Sequence, residues 1–266
     1  MKVIRVMGWA LVCAVWLSSC SSRRESPTGT ITQAGSTTVY PVARKLAIAF
    51  MDRYPEVEVK TAGGGSGYGI SMAAEGVIDI GASSRELTPA DPALLRHRIG
   101  TDGIAIVVHP SNPVSGLGRE DIREIFSGRS RQWTQLGGGN GEILVVAREE
   151  GSGTRSAFED LAMNGNPICT DAVLEPSNAA VRSLVSVNPD AVGFLSLGML
   201  DHSIKPLSIN GVACTLENCR SGRYPLMRPL YFLTKAAPKG LVKEYIDFCM
   251  GETGRKIVVN QGYMPE

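Results

Sequence analysis

The stretch Arg148-Glu149-Glu150-Gly151-Ser152-Gly153-Thr154 collects residue types suited to holding an anion. It follows the apolar run Ile143–Ala147, expected as a buried strand, and precedes Arg155–Met163, expected as a helix. A helix N-terminus carries unpaired backbone N–H groups and the positive end of its dipole, and small residues such as Gly153 let an anion approach. Ser152 and Thr154 add hydroxyl donors, and Arg148 adds a planar fork of N–H groups that fits oxyanions. Taken alone, the stretch also fits a plain helix cap with a surface arginine. Three further turns carry hydroxyls, Ser36-Thr37-Thr38, Ser66 within Gly63–Gly67, and Ser83-Ser84, and three of the four are expected to open helices. One such turn is a cap; four suggest a shared purpose.

Hydrolytic or nucleotide chemistry would require patterns this chain lacks. There is no G-x-x-x-x-G-K-[ST] phosphate loop and no G-x-G-x-x-G after a strand. Neither Ser66 nor Ser152 sits in G-x-S-x-G, because Tyr68 and Glu150 occupy the places glycine would need. The histidines, His97, His109 and His202, are far apart and near expected turns, so nothing activates a nucleophile. Glu149 and Glu150 find no second carboxylate cluster to complete a metal site, and Glu150 is expected to pair with Arg148 and fix its guanidinium. Neither catalysis nor a metal or other cofactor is expected.

The elements that position these turns repeat as strand, small-residue turn, helix. Strands are expected at 30–34, 56–60, 77–80, 104–108, 143–147, 191–197, 204–209 and 228–234, from alternating or continuous apolar runs. Helices are expected from about Pro41 to Tyr54, at 68–75, 119–126, 155–163, 178–187 and 239–250. Pro41 suits a first helical turn, Pro55 stops the first helix, and Gly76 and Gly128 close two others. Alternation of this kind predicts a mostly parallel α/β sheet that binds ligands at the carboxyl ends of its strands. The stiff turn His109–Pro113 is a candidate crossing between lobes.

At 266 residues the chain can form one large domain or two modest lobes. A hydrophobic share of 43% with 20% charged residues argues against disorder and coiled coil. A formal net charge of +1 gives no basic field for nucleic acid, so any anion must be captured locally. Lys2 and Arg5 precede an apolar run, Val6–Leu17, too short for a permanent membrane span. The run ends in Leu17-Ser18-Ser19-Cys20, similar to the lipobox of bacterial lipoproteins, which implies cleavage before Cys20 and acylation of it. A polar tether would follow over 20–29. Cys169, Cys214, Cys219 and Cys249 remain for the mature body, where structural roles are favoured over a metal site. Cys214 and Cys219 are close enough to clip one loop, and a Cys169–Cys249 pairing cannot be deduced from sequence.

These motifs together resemble the phosphate-binding proteins of bacterial Pst-type ABC transporters, the PstS-like group of periplasmic binding proteins. The resemblance covers roughly Gly29 to Glu266. It rests on Ala34–Thr38, Gly65-Ser66-Gly67, Asp79–Leu87, Ile125–Gly128 with Trp133, Arg148–Thr154, Val192-Gly193-Phe194, Tyr224-Pro225-Leu226 and Arg228-Pro229-Leu230. It implies an α/β, periplasmic binding protein-like fold: two α/β lobes with a ligand cleft between them, closing on phosphate. The lobe limits expected are 30–105 and 206–266 for the first lobe and 106–205 for the second, after the 1–19 leader. Carried over position by position, the phosphate ligands would be Ser36, Thr37, Thr38, Ser66, Ser84, Arg148, Ser152, Gly153 and Thr154, with Arg148 as the lone counter-charge. Well-known enterobacterial members have an aspartate where Ser84 stands, which accepts the proton of hydrogen phosphate and repels sulfate. Arg85 would be either a ligand or a pair for Glu86, and a supporting place behind the ligand shell is favoured. The implied protein is a monomer, lipid-anchored outside the cytoplasm, delivering phosphate to an ABC permease. The alternatives are another oxyanion on the same scaffold, a phosphate sensor or adhesin without a transporter, and an exported phosphatase.

Overall fold

The structure, a computed structural model, describes residues 26–266, so the expected leader, Cys20 and the start of the tether lie outside the described residues. The first half runs β1 (Gly29–Gly35), α1 (Tyr40–Arg53), β2 (Val57–Gly64), α2 (Ser66–Glu75), β3 (Ile80–Ser83) and the long β4 (Leu95–Val108). The middle runs β5 (Gly116–Leu117), α3 (Arg119–Phe126), β6 (Leu144–Arg148), α4 (Gly153–Leu161), β7 (Val173–Glu175), α5 (Asn178–Val187) and β8 (Ala191–Ser196). The chain returns through β9 (Lys205–Pro206), β10 (Ser208–Ile209), α6 (Leu216–Arg220) and β11 (Met227–Thr234). It ends with α7 (Gly240–Met250), α8 (Glu252–Asn260) and β12 (Met264–Pro265).

One curled sheet carries both lobes, in the order β2-β1-β3-β11-β4-β8-β6-β7. Its two ends are parallel, β1 with β2 and β3, and β6 with β7 and β8. Its centre is antiparallel, where β11 pairs with β3 and β4, and β4 pairs with β8. The expected mostly parallel sheet therefore holds only within each lobe. The long strand β4 crosses from one lobe to the other and β11 lies beside it, so antiparallel pairing is imposed where they meet. The apolar run at Ile104–Val108 marks only the end of β4; the part before it, Leu95–Gly103, mixes apolar, basic and small residues without a strand signal. The expected strand at 77–80 begins at Ile80, and that at 204–209 is broken into β9 and β10.

Two hydrophobic cores sit on either side of the crossing. The first packs Ile31, Val42, Leu46, Phe50, Ile80, Leu230 and Tyr245. The second packs Ile106, Phe126, Trp133, Val146, Phe158 and Phe194, with the rings of Phe158 and Phe194 stacked at 4.1 Å. Leu207, Ile209, Cys219, Tyr224 and Leu226 pack in the second core, so this part of the expected 206–266 return segment joins the second lobe before β11 crosses back. All four cysteines of the described body are free thiols. Cys169 lies beside Gly128 and the second core, whereas Cys249 is buried in the first, so those two cannot pair. Cys214 and Cys219 both face Gly103, where a methyl group would lie 3.4 and 3.0 Å from their sulfurs.

Glycine sets the height of α2 over the sheet. A methyl on Gly69 would lie 2.7 Å from the Ala34 carbonyl oxygen, and one on Gly35, at φ +139, would lie 2.3 Å from the Ala82 carbonyl oxygen. No larger side chain fits either place. The first turn of α2 thereby settles against the ends of β1 and β3. Among the described residues no helix is long and apolar enough to cross a membrane.

Candidate anion-binding cleft

Four turns meet where the two lobes touch. Ser36 Oγ accepts the Thr38 and Val39 amides and so turns the chain into α1. Its own hydrogen points to Ser84 Oγ, 2.9 Å away at the end of β3. Ser66 opens α2 after Gly65, and its Oγ accepts the Ser84 amide at 3.1 Å. From the second lobe, Ser152 caps α4 by accepting the Arg155 amide, which leaves the Gly153 and Thr154 amides without intrahelical partners.

Contact across the cleft is direct. Thr38 Oγ1 and Thr154 Oγ1 are 3.2 Å apart, and the Gly67 amide donates to the Gly151 carbonyl at 2.9 Å. A methyl on Gly153 would overlap Ser66 Oγ and lie 2.8 Å from Ser84 Oγ. Ser36, Thr38, Ser66, Ser84, Ser152 and Thr154 are all buried. Of the expected hydroxyls only Thr37 stands aside: it is half-buried, with its methyl 3.6 Å from where a side chain on Gly63 would begin.

Arg148 ends β6 with a side chain that is 1% exposed. Its Nε and Nη2 donate to the Glu175 and Pro176 carbonyls, at 2.9 and 3.0 Å, because β7 runs parallel beside β6 and then turns. Nη1 is buried with no protein partner. Burial pushes the guanidinium down to about 10, with Glu149 opposing and the positive charge of Arg228 adding to the effect. The expected Glu150 pairing is not formed: Glu150 is exposed, and the nearby carboxylate is that of Glu149, at 3.9 Å. Two carbonyls fix the guanidinium, without cancelling its charge.

A second guanidinium lies beneath the cleft, where a lone one was expected. Arg228, on β11, is buried, and its Nε and Nη2 donate to Asp102 Oδ2 at 3.0 and 2.8 Å. Nη2 also reaches Thr38 Oγ1 at 3.0 Å, and Nη1 reaches Ser84 Oγ at 3.3 Å. Asp102 is buried on β4, and Ser196 donates to its other oxygen at 3.0 Å. Burial pushes this carboxyl up, against the opposing pull of Arg228, Ser196 and the Leu197 amide. Asn178, the first residue of α5, donates to Thr38 Oγ1 at 2.9 Å and accepts the Ser196 amide at 3.2 Å. Tyr263 donates to the Thr38 carbonyl at 2.9 Å.

Asp102, Asn178, Ser196 and Tyr263 were not identified from sequence, and Arg228 appeared only within a motif, without a role. One signal was available: Asp102 stands two residues before the continuous apolar run Ile104–Val108, and a charge buried there needs a buried partner. Arg85, expected beside Glu86, instead pairs with Asp91 through two bonds of 2.6 and 2.8 Å, and donates to the Glu86 carbonyl. His97 bonds Thr234 and His109 bonds Ser111.

Comparison with known proteins matches the family model described as a PBP superfamily domain over residues 21–253. The phosphate-binding protein PstS of Bacillus subtilis is 32% identical over 254 residues, covering 93% of this chain and 84% of that protein. A Clostridium perfringens structure, described as a putative phosphate ABC transporter substrate-binding protein with bound phosphate, superposes with a TM-score of 0.86 at 33% identity. It aligns with 90% of this chain over its whole length. The crystal structure of an ABC-type phosphate transport receptor from Vibrio cholerae gives a TM-score of 0.76 at 35% identity, with 90% and 100% of the two chains covered.

Proposed function

We infer that the cleft binds inorganic phosphate, because the chain belongs to the PBP superfamily and, within it, to the PstS phosphate-binding proteins. It is a substrate-binding protein of phosphate import that hands its ligand to an ABC permease. The single observation that carries the reading is Arg148 Nη1, a buried cationic donor that the fold holds in place and leaves without a partner. A buried N–H on a charged group is costly unless something accepts from it, and an oxyanion supplies both the acceptor and the opposite charge.

Phosphate would be gripped by Ser66 and Ser84 with Thr38 from the first lobe, and by Arg148, Ser152, Gly153 and Thr154 from the second. Ser36 supports Ser84, and Thr37 would join the shell through its main chain. The first-turn amides of α2 and α4 add donors and dipole. Arg148 and Arg228 against Asp102 leave one net positive charge, so a dianion is held by this charge, two helix ends and the hydroxyl donors. A micromolar constant corresponds to about −8 kcal/mol, within reach of that many charge-assisted bonds. The contacts between Thr38 and Thr154 and between Gly67 and Gly151 favour a grip made by lobe closure, which excludes water and strengthens every bond.

The division at 105 and near 206–226, the monomeric state and the acylation of Cys20, which would tether the protein outside the cytoplasmic membrane, belong to the same reading. No catalytic step is included: the buried hydroxyls serve as donors to the anion, with no base among them. Calorimetric titration of the purified chain with phosphate tests the function. One saturable site is expected, and absence of binding would overturn it. Mass spectrometry of the exported protein tests the lipid.

A further inference from the structure

Arg228 does more than balance Asp102. A hydroxyl has one hydrogen to donate and room to accept two. Thr38 Oγ1 already accepts twice, from Asn178 Nδ2 at 2.9 Å and Arg228 Nη2 at 3.0 Å. Ser84 Oγ also accepts twice, from Ser36 at 2.9 Å and Arg228 Nη1 at 3.3 Å. Both therefore have only their hydrogens left to offer: Thr38 toward Thr154 or the ligand, Ser84 toward Ser66 or the ligand. Ser66 Oγ accepts the Ser84 amide, and with the Ser84 hydrogen pointing to it at 3.5 Å its second acceptor position is filled too, which turns its own hydrogen outward. Capacity to accept remains on the second lobe, where Ser152 Oγ accepts only the Arg155 amide and Thr154 faces only Thr38.

We propose that Arg228 is a specificity-determining positioning residue: by filling the acceptor positions of Thr38 and Ser84, it makes the first-lobe face of the cleft donor-only, so that the site takes the most ionised tetraoxyanion. The inference rests on the cleft being the phosphate site. Phosphate dianion carries a single P–OH, which the second lobe can accept. The monoanion carries another, so both of its P–OH groups would have to face Ser152 and Thr154, displacing the donor bonds those hydroxyls and Arg148 otherwise make; turned to the first lobe, either hydrogen would be an unpaired buried donor, which is strongly disfavoured. Sulfate needs donors alone.

The test is calorimetric titration of the intact protein with inorganic phosphate and with sulfate, from below to above the second ionisation of phosphate. The wild type is expected to lose about tenfold in phosphate affinity per pH unit below that ionisation and to be flat above it, with sulfate affinity insensitive to pH. Arg228→Met leaves Asp102 unpaired and can fail to fold, so Arg228→Met with Asp102→Asn is measured alongside it, removing both charges. In that double variant Thr38 and Ser84 can each accept again. The phosphate pH slope should flatten, and the phosphate-to-sulfate affinity ratio should rise by about tenfold or more. Equal loss of both anions with an unchanged pH slope would reduce Arg228 to a structural ion-pair partner and overturn the proposal. So would a wild-type phosphate affinity that ignores the ionisation. If phosphate fails to bind at every pH the functional reading falls, and the sulfate titrations still report whether Arg228 governs donor polarity.

Discussion

Thr38 and Thr154, separated by 116 residues, bring their hydroxyl oxygens to 3.2 Å across the junction of the lobes. Each stands at the start of a helix that belongs to its own lobe, α1 for Thr38 and α4 for Thr154. Thr38 is held from behind by Asn178 of α5 and by Arg228 of β11, whose partner Asp102 lies on β4, so both crossing strands are tied to the cleft. An anion seated here feels both lobes at once, which is how a small ligand can set the angle between two large bodies.

Thr38→Val and Thr154→Val each remove a hydroxyl while keeping shape. Each is expected to weaken phosphate binding by about 10- to 100-fold, the range for a hydrogen bond to a charged group. Because the two hydroxyls touch, the double variant should lose less than the sum, with a coupling of about 0.5–3 kcal/mol. A strictly additive pair in calorimetry would show that they do not act through a shared ligand.

Gly153→Ala places a methyl group where Ser66 Oγ and Ser84 Oγ lie, so the lobes cannot meet as they do here. Gly153 sits in the first turn of α4, where alanine suits the helix. Phosphate affinity should fall at least tenfold, about 1.4 kcal/mol, while the melting temperature of the ligand-free protein stays put. Small-angle scattering with phosphate present should show a more open molecule than the wild type.

Arg148→Met separates binding from stability. The guanidinium is held buried, its ionised form disfavoured, and Nη1 has no protein partner. Its removal should cost at least about 100-fold in phosphate affinity, as expected for a buried charge pair broken from one side. The ligand-free melting temperature should change by less than about 4 °C, because the lost carbonyl bonds are offset by relief of an unpaired buried charge. A large loss of ligand-free stability with affinity retained would mean that Arg148 is a structural brace.

Much of this was legible in the sequence because it is local. Helix α5 matches its expected span, Asn178–Val187, and α1 and α3 agree to within a residue or two, since apolar spacing, Pro41 and the following glycine or proline define them. The hydroxyl turns were legible because small polar residues at helix starts have a local meaning. What escaped depends on contacts distant in sequence. Arg228 and Asp102 are 126 residues apart, and only the antiparallel pairing of β11 with β4 makes them register partners. The first half of β4 is a strand because β11 pairs with it, not because Leu95–Asp102 has a strand pattern. Arg85 met Asp91 instead of adjacent Glu86 because Asp91 also takes the Thr88 amide and hydroxyl, which folds the loop back on itself.

That loop gives a pH-dependent prediction. Arg85, followed by the Thr88 amide and hydroxyl, holds the Asp91 carboxyl well below the usual carboxylate range, against the opposing effect of burial. A depressed folded-state pKa means the unfolded chain binds the proton first, so the stabilisation is complete above the unfolded value near 3.8 and is lost as pH falls below it. Asp91→Asn should therefore cost about 1–2 kcal/mol at neutral pH, and the difference from wild type should shrink below pH ~4. Denaturant melts at pH 7 and pH 3 read this directly, and a cost unchanged between them would remove the ionised pair as its source.

Ser84→Asp reverses the polarity of one position. The hydroxyl there is saturated by Ser36 and Arg228 and can only donate, whereas a carboxylate can only accept. Arg228, 3.3 Å from the present oxygen, lies close enough to keep the new carboxylate ionised. Such a group would take the hydrogen of P–OH and repel an anion that has none, so sulfate should weaken by about 100-fold or more while phosphate stays within about tenfold. The phosphate pH slope should relax as well, since the monoanion now finds an acceptor on the first-lobe face. Competition titration with sulfate decides it: an unchanged phosphate-to-sulfate ratio would mean that this oxygen does not contact the anion, and that selectivity is set from the second lobe by Ser152 and Thr154.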